Sequence, residues 1–214
     1  MKPILILQHQ LPENPAYLGT WLDQHSVQYE IYNAGAGQDF PSSIEPYAAL
    51  AVMGGGMSAN DQLLSNRQAE ILILQAVMRD RPVIGHCLGG QLMPRALGGQ
   101  VADSPAPEIG WQSIDYVDHP LVKTWFGTDP TEVVIHWHYD SFVQLPPGAT
   151  LLASSSACPY QAFALGPHLA MQFHIEMDSD KAHWWTEDSD PDWEAAQQHP
   201  SVQTADAKIG RAHV

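Results

Sequence analysis

The 214-residue chain is poor in cysteine and in basic residues. Its two cysteines, Cys87 and Cys158, lie far apart and form neither a metal-binding spacing nor a disulfide framework, which fits a reducing cytoplasm. Lysine and arginine number 9 against 24 acidic residues, for a formal net charge of −15. Because nucleic-acid binding requires basic patches, this balance argues against a nucleic-acid partner.

Long hydrophobic runs are also missing. No apolar run approaches the ~18 residues that a membrane-spanning helix needs, so we predict no membrane association. Residues 1–7 are too short for a signal peptide and lack its small-residue cleavage site, so we interpret them as a first buried strand and expect a cytoplasmic protein. A chain of this length can bury a substantial core.

The first part of the chain alternates between strand-like and helix-like segments. This order favours a parallel α/β sheet covered on both faces. Ser65 and Gln68 form a capping-box pattern at the start of one helix. Between residues 100 and 167 the pattern changes to short strands and turns, which predicts antiparallel additions. The predicted helices are 16–25 and 65–79, and the predicted strands are 4–8, 27–32, 47–53, 112–118, 132–137, 150–154 and 161–165.

Residues 83–93 are predicted to form a strand, a sharp turn and a helix. Cys87 lies in the turn as Gly-x-Cys-x-Gly, a nucleophile elbow with cysteine where hydrolases often carry serine. The flanking glycines relieve crowding in a strained turn. The free N–H groups and the dipole of the following helix favour thiolate over thiol. The alternative is a buried, unreactive cysteine, which is our interpretation of Cys158 because it has no elbow.

Residues 169–176 are predicted to form a strand that ends in His-x-Glu. Residues two apart on a strand face the same side, about 7 Å apart. Glu176 can therefore hold the His174 imidazole in one tautomer while the other ring nitrogen faces a thiol. With Cys87 these residues match the nucleophile, base and orienter of a triad. His86 is expected to point away from the site and is not assigned as the base.

These motifs resemble those of the class I, or triad, glutamine amidotransferases, particularly stand-alone members similar to the glutaminase part of GMP synthase. Residues 85–91 resemble the family's Gly-x-Cys-x-Gly-x-Gln, and residues 173–176 resemble its Phe-His-Pro-Glu. The resemblance runs from residue 1 to about residue 180. It departs at Ile175, where proline is usual, and at Gly90, where many members carry a larger residue.

The resemblance implies a three-layer, flavodoxin-like α/β fold with a mostly parallel central sheet and antiparallel additions. It divides the chain into an amidotransferase domain, residues 1–180, and an acidic, tryptophan-containing extension of the same domain, residues 181–214, which we expect to form a covering helix and a frayed end. It implies hydrolysis of the glutamine side-chain amide through a cysteinyl thioester, without cofactor. A γ-glutamyl peptidase or hydrolase with the same triad, and a non-catalytic regulatory binding module, remain alternatives.

The resemblance also implies an oxyanion hole formed by the N–H groups of Gly55 and Leu88, since residues 54–56 follow a strand end where α/β sheets bind ligands. It assigns Gln91, His138 and Asp140 to the pocket for a small-molecule substrate. A side chain at position 91, one helical turn past the nucleophile, shares its helix face.

Three further expectations concern the surroundings of this pocket. Gly56 and Gly90 are smaller than the family's common residues, which suggests a wider entrance for a larger leaving group. His136, His138 and Asp140 resemble part of a metal site, but further ligands at a convincing spacing are missing, so we predict no metal. Because the chain carries no recognisable synthetase segment, a separate synthetase subunit is a candidate partner.

Overall fold

A nine-stranded sheet lies at the centre of this computed structural model, which describes residues 2–11, 14–127, 131–187 and 191–203. In chain order the strands are β1 (Ile4–Gln8), β2 (Tyr29–Asn33), β3 (Ala49–Val52), β4 (Val83–His86), β5 (Gln100–Tyr116), β6 (Thr131–Gln144), β7 (Thr150–Ser154), β8 (Ala162–Leu165) and β9 (His168–Met171). The helices are α1 (Tyr17–Gln24), α2 (Leu64–Val77), α3 (Leu88–Leu97), α4 (Pro120–Phe126), α5 (Ser179–Glu187) and α6 (Pro191–Ala196), with a 3-10 turn at Ala34–Ala36.

One half of the sheet is parallel and runs in the order β2-β1-β3-β4-β9. Alternate residues of β1 point to opposite faces, so Leu5 and Leu7 join the core that contains residues of α2 and α3, while Ile6 packs with Leu22 of α1. Fully burying one such side chain stabilises the fold by roughly 1.5–3 kcal/mol. The helices on both faces confirm the predicted three-layer α/β fold.

The other half of the sheet is antiparallel, in the order β9-β8-β7-β5-β6, as predicted. Its strands β5 and β6 are much longer than the predicted 112–118 and 132–137. The register between them shifts from Asp103 to Glu108. Two prolines lie in that irregular stretch. Because proline within sheets is confined to edge strands and bulges, a sequence pattern that contains it does not predict a continuous strand.

The start of α2 differs from the prediction. The helix begins at Leu64, Leu63 is the N-cap residue, and no side chain caps it. Ser65 therefore lies inside the helix and the predicted capping box does not form. Instead Asn66 fixes the helix start, because its Nδ2 donates to the carbonyls of Ser58 at 3.1 Å and Asp61 at 3.3 Å. Tertiary contacts replace the local cap.

The C-terminal part of the chain returns to the sheet. The predicted boundary at residue 180 falls within α5, which supplies the expected covering helix. After α6, Ile109 N of β5 donates to Ser201 O at 3.1 Å, and Gln203 N donates to Ile109 O at 2.9 Å. The expected frayed end falls on residues 204–214, which lie outside the described residues. Among the described helices, none is long and apolar enough to cross a membrane.

Candidate active site

The structure places Cys87 between β4 and α3, in the predicted order of strand, turn and helix. Its backbone has φ 49° and ψ −111°, and a positive φ is uncommon for a residue other than glycine. Cys87 N donates to Met171 O of β9 at 2.8 Å, which holds the turn in place. A strained residue fixed by its surroundings is a frequent feature of functional sites.

The glycines around Cys87 allow the backbone segments to approach closely. A Cβ on Gly85 would lie 2.6 Å from the carbonyl carbon of Gly89. A Cβ on Gly90 would collide with Met171 O, so this glycine packs α3 against β9. The expectation that Gly90 widens the entrance is therefore wrong. Gly56 lies at the exposed edge of its loop, where its N–H donates to Gln10 Oε1 at 2.9 Å.

His174 and Glu176 form a short buried pair, with 2.6 Å between His174 Nδ1 and Glu176 Oε1. Each residue is 3% exposed. They do not lie on a strand as predicted, since β9 ends at Met171. His174 N donates instead to Ile135 O of β6 at 3.0 Å, in an isolated bridge. At this point the chain pairs with β6 and no longer with β4 and β8, the strands that flank β9. The predicted pairing of imidazole and carboxylate thus arises from an irregular segment.

Cys87 and His174 meet beside the loop that follows β3. A Cβ on Gly54 would lie 3.0 Å from His174 Cε1 and 3.6 Å from Cys87 Cβ. Burial by itself would lower the pKa of His174, but the negative charge of Glu176 and the interaction with Cys87 raise that pKa to about 9. A protonated imidazole next to the sulfur stabilises a thiolate.

Glu176 is surrounded by cationic and imidazole groups. Its Oε1 lies 3.3 Å from Lys181 Nζ, and its Oε2 lies 3.7 Å from His86 Nε2. Burial would raise the pKa of Glu176, but His86, His174 and Lys181 together hold it well below its usual range. The carboxylate therefore stays charged. Sequence reasoning assigned no role to Lys181, although a lysine shortly after Glu176 stands out in a chain with few basic residues.

The two residues predicted for the oxyanion hole lie next to each other. Leu88 is the first residue of α3, where N–H groups have no acceptor within the helix. A Cβ on Gly55 would lie 3.0 Å from Leu88 Cδ2. Sequence reasoning missed a further donor, Gln172, whose Nε2 lies 3.7 Å from Cys87 Sγ. The sequence carried one signal for this role: Gln172 lies two residues before His174, so in an extended segment both side chains point to the same side.

The predicted pocket residues are joined by hydrogen bonds. Gln91 Nε2 donates to Asp140 O at 2.9 Å and to Gln172 Oε1 at 3.2 Å. His138 Nδ1 lies 3.0 Å from the same Asp140 carbonyl. Ser58, for which the sequence suggested no role, donates from Oγ to Asp140 Oδ2 at 2.5 Å. The structure thus brings Gln91, His138 and Asp140 together beside Cys87, with Gln172 as the link.

A second buried cluster lies on the adjacent strands β5 and β6. It contains Glu108, His136 and His138, whose ligand atoms all lie within 4.8 Å of one another. Asp140, considered with the two histidines in the sequence, is not part of it, because its carboxylate accepts from Ser58. Glu108 was missed because it belongs to the neighbouring strand, where the register pairs it with His138.

Helix α5 covers the imidazole side of the site. The rings of Trp185 and His174 meet edge to face, with centroids 4.6 Å apart and an interplanar angle of 90°. Trp185 also packs edge to face on Trp137 of β6, at 5.5 Å. These contacts exclude water from one side of His174.

Several known proteins and one family model are similar to this chain. The family model of class I glutamine amidotransferases matches residues 22–189. The glutamine amidotransferase-like protein YfeJ of Salmonella typhimurium is 33% identical over 190 residues, which cover 82% of this chain and 77% of that protein. The crystal structure of a glutamine amidotransferase from Methylobacillus flagellatus is 35% identical, with a TM-score of 0.89 over 98% of this chain and 86% of the other.

Two shorter matches cover about half of each protein. A glutamine-hydrolyzing GMP synthase subunit of Thermoplasma acidophilum is 33% identical over 101 residues, 45% of this chain and 48% of that protein. Gamma-glutamyl peptidase 3 of Arabidopsis thaliana is 31% identical over 106 residues, 47% of this chain and 43% of that protein.

Proposed function

Because the chain belongs to the class I glutamine amidotransferases, we propose that it hydrolyses the side-chain amide of glutamine through a thioester on Cys87. The products are glutamate and ammonia. The observation that carries this proposal is the buried His174–Glu176 pair next to a cysteine at a strained turn. A carboxylate, an imidazole and a thiol, with the imidazole between the other two groups, are the components of nucleophilic acyl transfer.

The first half of the reaction forms the thioester. The Cys87 thiolate attacks the amide carbon while His174 holds the proton taken from the thiol. The carbonyl oxygen becomes an oxyanion, and the N–H groups of Gly55 and Leu88 stabilise it. His174 then donates its proton to the departing nitrogen, so that ammonia leaves and the acyl group stays on sulfur.

The second half of the reaction releases glutamate. His174, now neutral, accepts a proton from a water molecule that attacks the thioester carbon. Collapse of the second oxyanion releases the Cys87 thiolate beside a protonated His174, which restores the starting pair. Glu176 keeps the ring in one orientation throughout, because its carboxylate remains charged and accepts from Nδ1.

The substrate's amino-acid end is proposed to bind near Asp140. Gln91 and Ser58 hold this residue in position through its carbonyl and its carboxylate, respectively. A carboxylate there suits the α-amino group that glutamine shares with every γ-glutamyl compound. Replacing Asp140 with Asn should therefore raise KM more than it lowers kcat.

A test of the proposed function uses the purified protein with glutamine, a γ-glutamyl dipeptide and the matching α-peptide. We expect slow but measurable release of glutamate from glutamine and no cleavage of the α-peptide. The Cys87→Ser variant is the control for contaminating glutaminase. Preference for the α-peptide, or no cleavage of either γ-glutamyl compound, would contradict the assigned substrate class.

A γ-glutamyl peptidase with the same triad is the second proposed function. It is supported by the similarity to gamma-glutamyl peptidase 3 and by the small, exposed Gly56 at the edge of the oxyanion loop. A higher kcat/KM for the γ-glutamyl dipeptide than for glutamine would favour it.

A separate synthetase subunit is proposed as a partner, since a GMP synthase subunit is among the similar proteins. We also propose a cytoplasmic location, where the Cys87 thiol stays reduced. Co-purification with a synthetase and stimulation of glutamine hydrolysis by it would support the partnership. If no co-purifying protein changes the rate of glutamine hydrolysis, the partnership is contradicted.

A further inference from the structure

Two histidines and one glutamate meet in the interior of the antiparallel half of the sheet; we call Glu108, His136 and His138 the strand cluster. His136 and His138 lie two residues apart on β6, and Glu108 is paired with His138 across β5 and β6. The three residues are 0%, 0% and 3% exposed, in that order along the chain. Their ligand atoms lie within 4.8 Å of one another.

The hydrogen bond at one ring nitrogen of His138 determines whether the other ring nitrogen, which faces Glu108, carries a proton. His138 Nδ1 lies 3.0 Å from Asp140 O, and a backbone carbonyl only accepts, so Nδ1 carries a proton. In neutral histidine this leaves a lone pair on Nε2, which lies 3.1 Å from Glu108 Oε2. A lone pair facing a carboxylate requires a positive charge between them, either a second proton or a metal ion.

His136 distinguishes these two choices. Neither of its ring nitrogens has a hydrogen-bond partner among the described residues, although the side chain is fully buried. An unpaired buried polar group costs roughly 1–3 kcal/mol. A second proton on His138 satisfies Glu108 but leaves both ring nitrogens of His136 without a partner, whereas a metal ion would bind one His136 nitrogen together with His138 Nε2 and the Glu108 carboxylate.

The surroundings resemble the outer shell of a metal site. Glu108 Oε1 accepts from Ser155 Oγ at 2.6 Å, and Glu108 Oε2 accepts from Gln161 Nε2 at 2.5 Å. Metal-binding histidines commonly donate their other N–H to a carbonyl, and metal-binding carboxylates commonly accept further hydrogen bonds. His138 shows the first feature and Glu108 shows the second.

We propose that Glu108, His136 and His138 bind one divalent transition-metal ion, with zinc as the first choice. Two imidazoles and one carboxylate form a common three-residue zinc site. Ligands at about 2.0–2.1 Å around a tetrahedral ion lie about 3.3 Å from one another. The 3.1 Å between His138 Nε2 and Glu108 Oε2 is already close to this spacing. The ligand atom of His136 lies within 4.8 Å of the other two.

The ion would join β5 to β6 beneath the candidate active site. Ile135, the residue before His136, accepts the hydrogen bond from His174 N. Trp137, the residue after it, lies with its carbonyl 3.5 Å from Cys87 Sγ. Metal binding would therefore stabilise the strand that supports both reacting groups, without contacting the substrate.

The test measures metal content in the Cys87→Ser protein, in which the thiol is removed as an alternative zinc ligand. The protein is purified from zinc-supplemented cultures. A second sample is refolded with Zn²⁺, Co²⁺, Mn²⁺ or Fe²⁺, because a buried site does not readily take up an ion in the folded protein. After gel filtration we expect one ion per chain by elemental analysis, and a tetrahedral Co²⁺ absorption spectrum. Anomalous diffraction should place the ion between the three side chains.

Two variants give the matched comparison. His136→Gln should reduce retention of the ion by at least about tenfold, consistent with the loss of one ligand. His168→Gln replaces another buried histidine, on β9 and outside the cluster, and should retain the ion. Absence of a stoichiometric ion after every loading procedure, an anomalous peak elsewhere, or equal retention by the His136 variant would overturn the proposal. None of these results depends on glutaminase activity.

Discussion

Each half of the sheet buries a cysteine near a histidine–glutamate pair. In the parallel half these are Cys87, His174 and Glu176, which we call the elbow cluster. In the antiparallel half, Cys158 lies near Glu108 of the strand cluster, and Ser155 Oγ bonds both Glu108 Oε1 and the Cys158 N–H. The residue types are the same, but the backbone around each cysteine differs.

The difference leads us to expect different reactivities for the two thiols. Cys87 has a positive φ and starts a helix, and the interaction between its sulfur and His174 contributes to the raised pKa of that histidine. Cys158 is fully buried, and burial raises the pKa of its thiol. Helix N-termini and cationic neighbours favour thiolate, whereas apolar burial favours thiol. Position on the backbone therefore distinguishes the proposed nucleophile, Cys87, from the core residue Cys158.

The largest expected effect comes from exchanging the two cysteines for serine. Cys87→Ser should lower kcat/KM for glutamine by at least about 10³-fold, because the acyl acceptor is lost. Cys158→Ser should change it by less than about threefold. A diazo-ketone analogue of glutamine should label Cys87 and spare Cys158, as peptide mapping by mass spectrometry can show. Labelling confined to Cys158 would reverse the comparison.

The next largest effect concerns the two histidine–glutamate pairs. His174→Ala should lower kcat/KM by about 10³-fold, and Glu176→Gln should lower it by a smaller factor because an orienting residue does not exchange the proton. Glu108→Gln should act mainly on stability, by about 1–3 kcal/mol, since it weakens a buried hydrogen-bond network. Steady-state kinetics and urea unfolding measure both quantities. Full activity in the Glu176 variant would remove it from the triad.

A smaller effect is expected from Lys181, which supports Glu176. Lys181→Met removes a buried cation 3.3 Å from the carboxylate and should lower kcat/KM by about 3–10-fold. Lys123→Met, at an exposed position on α4, is the matched control and should leave kcat/KM unchanged. Equal kinetics for the two variants would show that Lys181 does not position the triad.

The smallest effect is a displacement of the pH profile. The pKa of His174 is raised to about 9, so kcat/KM should fall as pH rises through about 9 and the imidazolium is lost. Glu176→Gln removes a charge that raises this pKa, and should move the alkaline limb to lower pH. If the alkaline limb of the kcat/KM profile stays at the same pH in Glu176→Gln, the ionisation of His174 is not its cause.

The same ionisation contributes to stability. Because the folded pKa of His174 exceeds the unfolded value of about 6.5, the contribution is fully present below about pH 6.5 and is lost as pH rises through about 9. Glu176 has a lowered pKa, so its contribution is present above the unfolded value of about 4.3 and is lost in acid, as pH falls through the folded value.

Sequence reasoning succeeded where a local signal is strong. The elbow was predicted from glycines that a close backbone approach requires, and the parallel strands from short apolar runs. It failed where distant residues decide the outcome. The His174 segment is not a strand because its backbone bonds β6, and Ser65 does not cap α2 because Asn66 makes tertiary contacts.

The sequence by itself determined the order of elements, the elbow turn at Cys87 and the pairing of His174 with Glu176, because each depends on residues close together in the chain. Tertiary structure alone decided which groups surround them. Glu108 reaches His138 through the register of two long strands, and Gln172 reaches Cys87 because β9 lies beside β4. Such contacts depend on the packing of separate segments, and spacing along the chain does not encode them.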